Sequence, residues 1–129
     1  MEQADFNNVV DIFNDNTKLY IGLMPNIDEV EFGYSYINNK FTLFCQATDR
    51  SLNELKKIIY NNKSIHFIKW ANDGKIVQGD GIVILLETNE ERINGINHII
   101  KHTNENNIDE IDNLFLFKIE VNNACRYKQ

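Results

Sequence analysis

The sequence predicts a mainly β protein of the α+β class: a small six-stranded antiparallel barrel with helices outside it. Three observations point there. Six stretches carry the two-residue alternation, or the β-branched and aromatic composition, of strands. Most follow one another at hairpin distance, separated by turn residues such as Asn38-Asn39-Lys40 and Asn72-Asp73-Gly74. The three helical stretches do not form a regular βαβ alternation, which disfavours a doubly wound parallel sheet. At 129 residues the chain fits one domain, residues 1–129, without repeats, linkers or low-complexity segments.

The first helix is expected over Asp5 to about Asn14, where Phe6, Val9, Val10 and Phe13 recur at helical spacing. Leu19, Ile21 and Leu23 then alternate with Tyr20 and Gly22 as a first strand, closed by a turn at Pro25-Asn26. In the second strand, Val30–Ile37, an aromatic face (Phe32, Tyr34, Tyr36) opposes a small or acidic one (Glu31, Gly33, Ser35). The third strand, Phe41–Gln46, sets Phe41, Leu43 and Cys45 against Thr42, Phe44 and Gln46. Apolar groups on both faces suit a central barrel strand.

Two later helices announce themselves with capping boxes. Ser51-Leu52-Asn53-Glu54 matches the S-x-x-E pattern and precedes the stripe Leu52, Leu55, Ile58 and Ile59. Thr88-Asn89-Glu90-Glu91 precedes Ile93, Ile96, Ile99 and Ile100. Each N-cap side chain is worth roughly 0.5–2 kcal/mol, enough to fix where a helix starts. Between them, Ile65–Trp70 and Lys75–Leu86 read as strands, with Gly79 and Gly81 marking a bulge or barrel corner. Thr103–Asn113 reads as a polar loop and Leu114–Val121 as a last strand, with Phe115, Phe117 and Ile119 on one side.

Composition bounds the function. The chain carries 13 Lys+Arg against 19 Asp+Glu, a formal charge of -6, and lacks the cationic footprint that releases counterions from nucleic acid. No nucleic-acid partner is expected. No apolar run is long enough to span a bilayer, so no membrane partner is expected either. MEQADFNN has neither a basic nor an apolar leader region, and the two cysteines, Cys45 and Cys125, have no metal-ligand spacing. A soluble protein of the reducing cytoplasm is the expectation.

Chemistry is hinted at in one place. At Asp49-Arg50-Ser51 a strand gives way to a helix, and a helix N-terminus offers unpaired N–H groups to an anion such as phosphate. The competing reading is an exposed first-turn arginine and an ordinary N-cap serine. His98 and His102 have chelating i, i+4 spacing but no third ligand, so no metal is expected and surface histidines are the simpler reading. Trp70, which follows Lys69 at a strand end, reads as packing or interface. No catalytic triad or carboxylate pair is spaced for chemistry, so the catalytic residues stay unassigned.

The ordered set of strand, turn and helix resembles the pyridoxamine 5'-phosphate oxidase-like FMN-binding split β-barrel family, over roughly Asp5 to Tyr127. The resemblance rests on FTLFCQATDRSLNELKKIIYNNKSIHF, on Tyr60-Asn61-Asn62-Lys63-Ser64-Ile65, and on Val77-Gln78-Gly79-Asp80-Gly81. It implies a split barrel, a homodimer with flavin in a groove between subunits, and an FMN-dependent oxidoreductase acting on a small-molecule redox substrate. FMN would meet Phe44, Cys45, Gln46, Arg50 and Ser51. The family's oxidases open this helix with Arg-Lys, and here only Arg50 carries over. Glu29 and Tyr34 stand where those oxidases are basic, so pyridoxamine 5'-phosphate turnover is not expected. The alternative is a split barrel without cofactor, serving as a binding or interaction module.

Overall fold

The computed structural model describes residues 6–15, 18–103 and 114–128. Six strands, β1 (Leu19–Leu23), β2 (Asn26–Ile37), β3 (Lys40–Ala47), β4 (Ser64–Trp70), β5 (Lys75–Leu85) and β6 (Leu116–Lys128), close into a barrel in the order β1-β2-β3-β6-β5-β4. Every neighbouring pair is antiparallel. Two α-helices, α1 (Leu52–Asn61) and α2 (Asn89–Thr103), and a 3-10 turn at Val10–Asn14 complete the described elements. The expected six-stranded antiparallel barrel with flanking helices is thus the observed fold.

Alternation along the strands builds the interior. Val30, Phe32, Phe41, Leu43, Cys45, Ile65, Phe67, Val77, Phe117, Ile119 and Val121 share one buried cluster, which Leu55 and Ile59 of α1 join. Outward from β3, Phe44 joins Leu86, Ile96, Ile99 and Leu116 in a second cluster beneath α2. Gly33 makes that contact possible. A Cβ on it would lie 2.3 Å from the carbonyl oxygen of His98, so only glycine lets α2 sit this close to β2.

Three elements differ from the sequence expectation. Asp5 lies outside the described residues, and the first helix is instead a turn at residues 7–9 followed by the 3-10 turn. Phe6, Val9 and Ile12 are three apart, the spacing of a 3-10 stripe, and all are buried in the barrel with Phe13. Asn7, Asn8 and the β-branched Val9 and Val10 also favour a helix weakly. β2 starts at Asn26, because Leu23 pairs with Asn26 across a tight turn containing a cis Met24–Pro25 bond. β6 runs seven residues past Val121, with Asn123–Lys128 paired to β5. A register shift between Asp80 and Gly81 falls beside the two strand glycines, where a bulge was expected. Of the expected 103–113 loop, Thr103 ends α2 and the rest lies outside the described residues.

The barrel has a seam. The β1–β2 ladder ends at the Leu19–Val30 pair, while β2 continues to Ile37 on its β3 side. Beyond Val30 the 3-10 turn and the last turns of α2 lie against β2: Phe13 meets the Phe32 ring edge-on at 6.1 Å, and the His102 ring lies 4.3 Å from it.

Candidate functional site

The strand-to-helix corner after β3 is held at both ends. Ala47 N–H donates to the carbonyl of Phe115 at 3.2 Å, tying the end of β3 to the approach to β6. Thr48 and Ser51 then cap each other. Thr48 N–H donates to Ser51 Oγ at 3.0 Å, and Ser51 N–H donates to Thr48 Oγ1 at 3.3 Å. This is a capping box one turn earlier than Ser51-x-x-Glu54. Ser51 itself makes no side-chain cap and is only 2% exposed. Glu54 lies 3.8 Å from exposed Lys57 instead.

The five residues expected to meet a cofactor are close along the chain and differ in what they face. Phe44 points outward beneath α2, with its ring stacked on His98 at 4.3 Å and 18°. Cys45 points inward and is fully buried, and that burial pushes its thiol far above the ordinary range. Gln46 is half-buried, opposite Glu31 and Leu116. Ser51 is engaged with Thr48. Arg50 is exposed and has no ion pair among the described residues. Arg50 is therefore the residue of this corner that could take an anion, a guanidinium in the turn just before α1. The corner does not fit the ring end of a flavin through Phe44, whose face is already covered.

The two positions expected to be basic in oxidases of the resembled family, Glu29 and Tyr34, make other contacts. Glu29 reaches Lys18 at 3.5 Å. Tyr34 donates its hydroxyl to Asn14 Oδ1, and burial raises the phenol above its usual range.

Two residues carry more than the sequence suggested. Lys69 is fully buried, bonded to Asp15 Oδ1 at 2.6 Å and to the carbonyl of Trp70 at 2.9 Å, with its ammonium 5.6 Å from the Phe32 ring centre. Its parity with Ile65 and Phe67 was the available signal. His102 is half-buried, not a surface histidine, and its Nε2 lies 2.6 Å from the carbonyl of Phe13. Among the described residues no three His, Cys, Asp or Glu side chains are grouped to hold a metal. No described helix is long and apolar enough to cross a membrane.

One opening adjoins the corner through Phe115, and another lies at the seam. A groove of about 510 Å³ is lined by Tyr60, Leu86, Glu87, Asn89, Arg92 and Phe115. Arg92 bridges the carbonyls of Leu86 and Leu114 at 3.2 and 2.6 Å there. A pocket of about 390 Å³ sits at the seam, lined by Asn14, Tyr34, His98, Lys101 and His102.

No family's sequence profile matches this chain, and no curated protein matches it. Solved structures do. One is a provisionally named 5-nitroimidazole antibiotic resistance protein from Bacteroides thetaiotaomicron, with a TM-score of 0.66 at 14% identity over 95% of this chain and 82% of that one. Another is a provisionally named pyridoxamine 5'-phosphate oxidase from Listeria innocua, with 0.62 at 9% identity over 95% and 98%. A third is an FAD-binding protein from Mesorhizobium loti, with 0.53 at 14% identity over 92% and 91%. At these identities the likeness is one of fold, and it is the split barrel that the sequence resemblance implied.

Proposed function

We propose that this chain is a flavin-binding protein of the split-barrel fold, working as a homodimer in the cytoplasm, with Arg50 holding the phosphate of FMN. One observation carries the reading: an exposed guanidinium, without an ion pair among the described residues, stands in the capped turn between a barrel strand and α1. That a protein of the same fold is described as FAD-binding supports a flavin. A bound flavin would supply electron or hydride transfer to a small-molecule substrate. The chain would contribute anchoring at Arg50 and orientation through Gln46 and nearby backbone groups.

The test is a fluorescence titration of FMN and riboflavin against the wild type and Arg50→Ala. A charge-assisted hydrogen bond contributes roughly 1.5–3 kcal/mol, so FMN should weaken about tenfold to a hundredfold while riboflavin hardly changes. Equal losses for both ligands, or no FMN binding by the wild type, overturn the assignment. Sedimentation should report a dimer at micromolar concentration, and a monomer would remove the shared groove.

A second reading, a split barrel that serves as an interaction module without cofactor, is favoured by the stack of His98 on Phe44 and by the Ser51–Thr48 pair. Both occupy groups that a flavin would need. A colourless protein that takes up no added FMN would select it.

A further inference from the structure

The seam pocket stands apart from the corner at Arg50 and has a hydrogen-bonding inventory of its own. His98, Lys101 and His102 lie at i, i+3 and i+4 on one side of α2, facing Asn14 and Tyr34 across about 390 Å³. Neighbouring bonds fix what each group has left. His98 Nδ1 is 2.9 Å from the carbonyl of Asn94, which can only accept, so Nδ1 carries a proton and in the neutral ring Nε2 is the acceptor. Tyr34 spends its proton on Asn14 Oδ1, which turns the Asn14 amide so that its NH₂ group remains as a donor. His102 is committed through Nε2 to Phe13, and its buried Nδ1 has no partner. Lys101 is exposed and makes no ion pair among the described residues.

The lining therefore holds one full positive charge, one amide donor and one imidazole acceptor, with no carboxylate, in a chain whose formal charge is -6. The C-terminal dipole of α2 works against an anion here, but it amounts to about half a charge against the whole charge of Lys101. A carboxylate would satisfy the donors and leave the His98 lone pair unmet. A phosphate monoanion satisfies both kinds of group: its oxygens accept from Lys101 and the Asn14 amide, and its P–OH donates to His98 Nε2. We propose that the seam pocket formed by Asn14, Tyr34, His98 and Lys101 binds a small phosphate-type oxyanion, either free phosphate or the phosphoryl group of a small metabolite.

Inorganic phosphate is the probe, titrated into the ¹⁵N-labelled full chain and followed by amide and imidazole resonances. The expected result is a saturable shift centred on Tyr34, His98 and Lys101. Lys101→Gln should weaken it about tenfold or more, while Lys101→Arg retains most of it. Arg50→Ala should leave the affinity unchanged, which separates this site from the flavin phosphate. A phosphomonoester such as glycerol phosphate binding tighter than free phosphate would identify the metabolite form, and equal or weaker binding would identify the free ion. Lys101 is exposed, so its variants keep the fold, and a thermal melt verifies that. Absence of a saturable shift, equal affinity in Lys101→Gln, or loss of binding in Arg50→Ala each overturns the proposal.

Discussion

Removing the carboxylate of Asp15 should cost more stability than removing the buried amine it serves. Lys69 has no exposed side-chain surface, and Asp15 is 26% exposed. Their contact is 2.6 Å, and Asp15 Oδ2 also accepts from Asn72 N–H at 3.3 Å. In Asp15→Ala the ammonium stays inside the barrel without its counter-charge. Breaking a buried pair this way costs about 3–5 kcal/mol. The partial exposure of Asp15 lets water reach the site and favours the low end, about 3 kcal/mol, a fall in Tm of order 10 °C for a domain this size. Lys69→Met removes the charge, keeps the apolar stem beside Phe32, and leaves Asp15 to water. It should lie within about 1 kcal/mol of wild type. Urea unfolding followed by circular dichroism measures both variants and the double variant, which should recover most of the Asp15→Ala loss. Burial lowers the Lys69 pKa below that of the unfolded chain although Asp15 opposes it. The unfolded state then binds more protons between the two values, so Lys69 adds stability as pH rises through that alkaline window, and Lys69→Met should lack this rise. An Asp15→Ala loss under about 1 kcal/mol, or a larger loss in Lys69→Met, refutes the reasoning.

Gly33→Ala should destabilise by about 3 kcal/mol, since the new methyl meets the backbone carbonyl of His98 and α2 must lift from β2; thermal melting reads this directly. Thr48→Ala should cost about 1 kcal/mol and Glu54→Ala almost nothing, with the reverse order restoring the S-x-x-E box. Cys125 should react with a thiol reagent at once at pH 8, whereas Cys45, buried and with its thiol pushed up, should react only at the unfolding rate. Two equivalents reacting in the fast phase would contradict the placement of Cys45.

Much of the barrel was legible because period-two alternation is a strong local signal. It located β1, β3, β4 and β5 to within about a residue or two. The first helix failed because 3-10 and α spacings differ little over ten residues, and Phe13 continued an α-helical reading of Phe6, Val9 and Val10. β6 was cut short because Asn122 and Asn123 carry no strand signal, and only the pairing of Asn123 to Lys128 with β5, past a bulge at Asn122, makes this stretch strand. The site was less readable for a related reason. Phe44, Cys45 and Gln46 are consecutive, so alternation had to send Cys45 to the opposite face from its neighbours. The cap at Thr48 was missed because T-x-x-S closes through two hydroxyls, without the acidic residue that marks the common pattern.

The place of β6 in the sheet also shapes how the molecule forms. It is last of the six in chain order yet lies between β3 and β5, and Thr42 meets Glu120 across nearly eighty residues. Until it arrives, β3 and β5 each present an open edge. Such non-local closure is slow, and waiting edges invite pairing between chains. During synthesis, the first five strands leave the ribosome as an unfinished sheet, and the barrel becomes a single cooperative unit only when the residues after Leu114 have emerged.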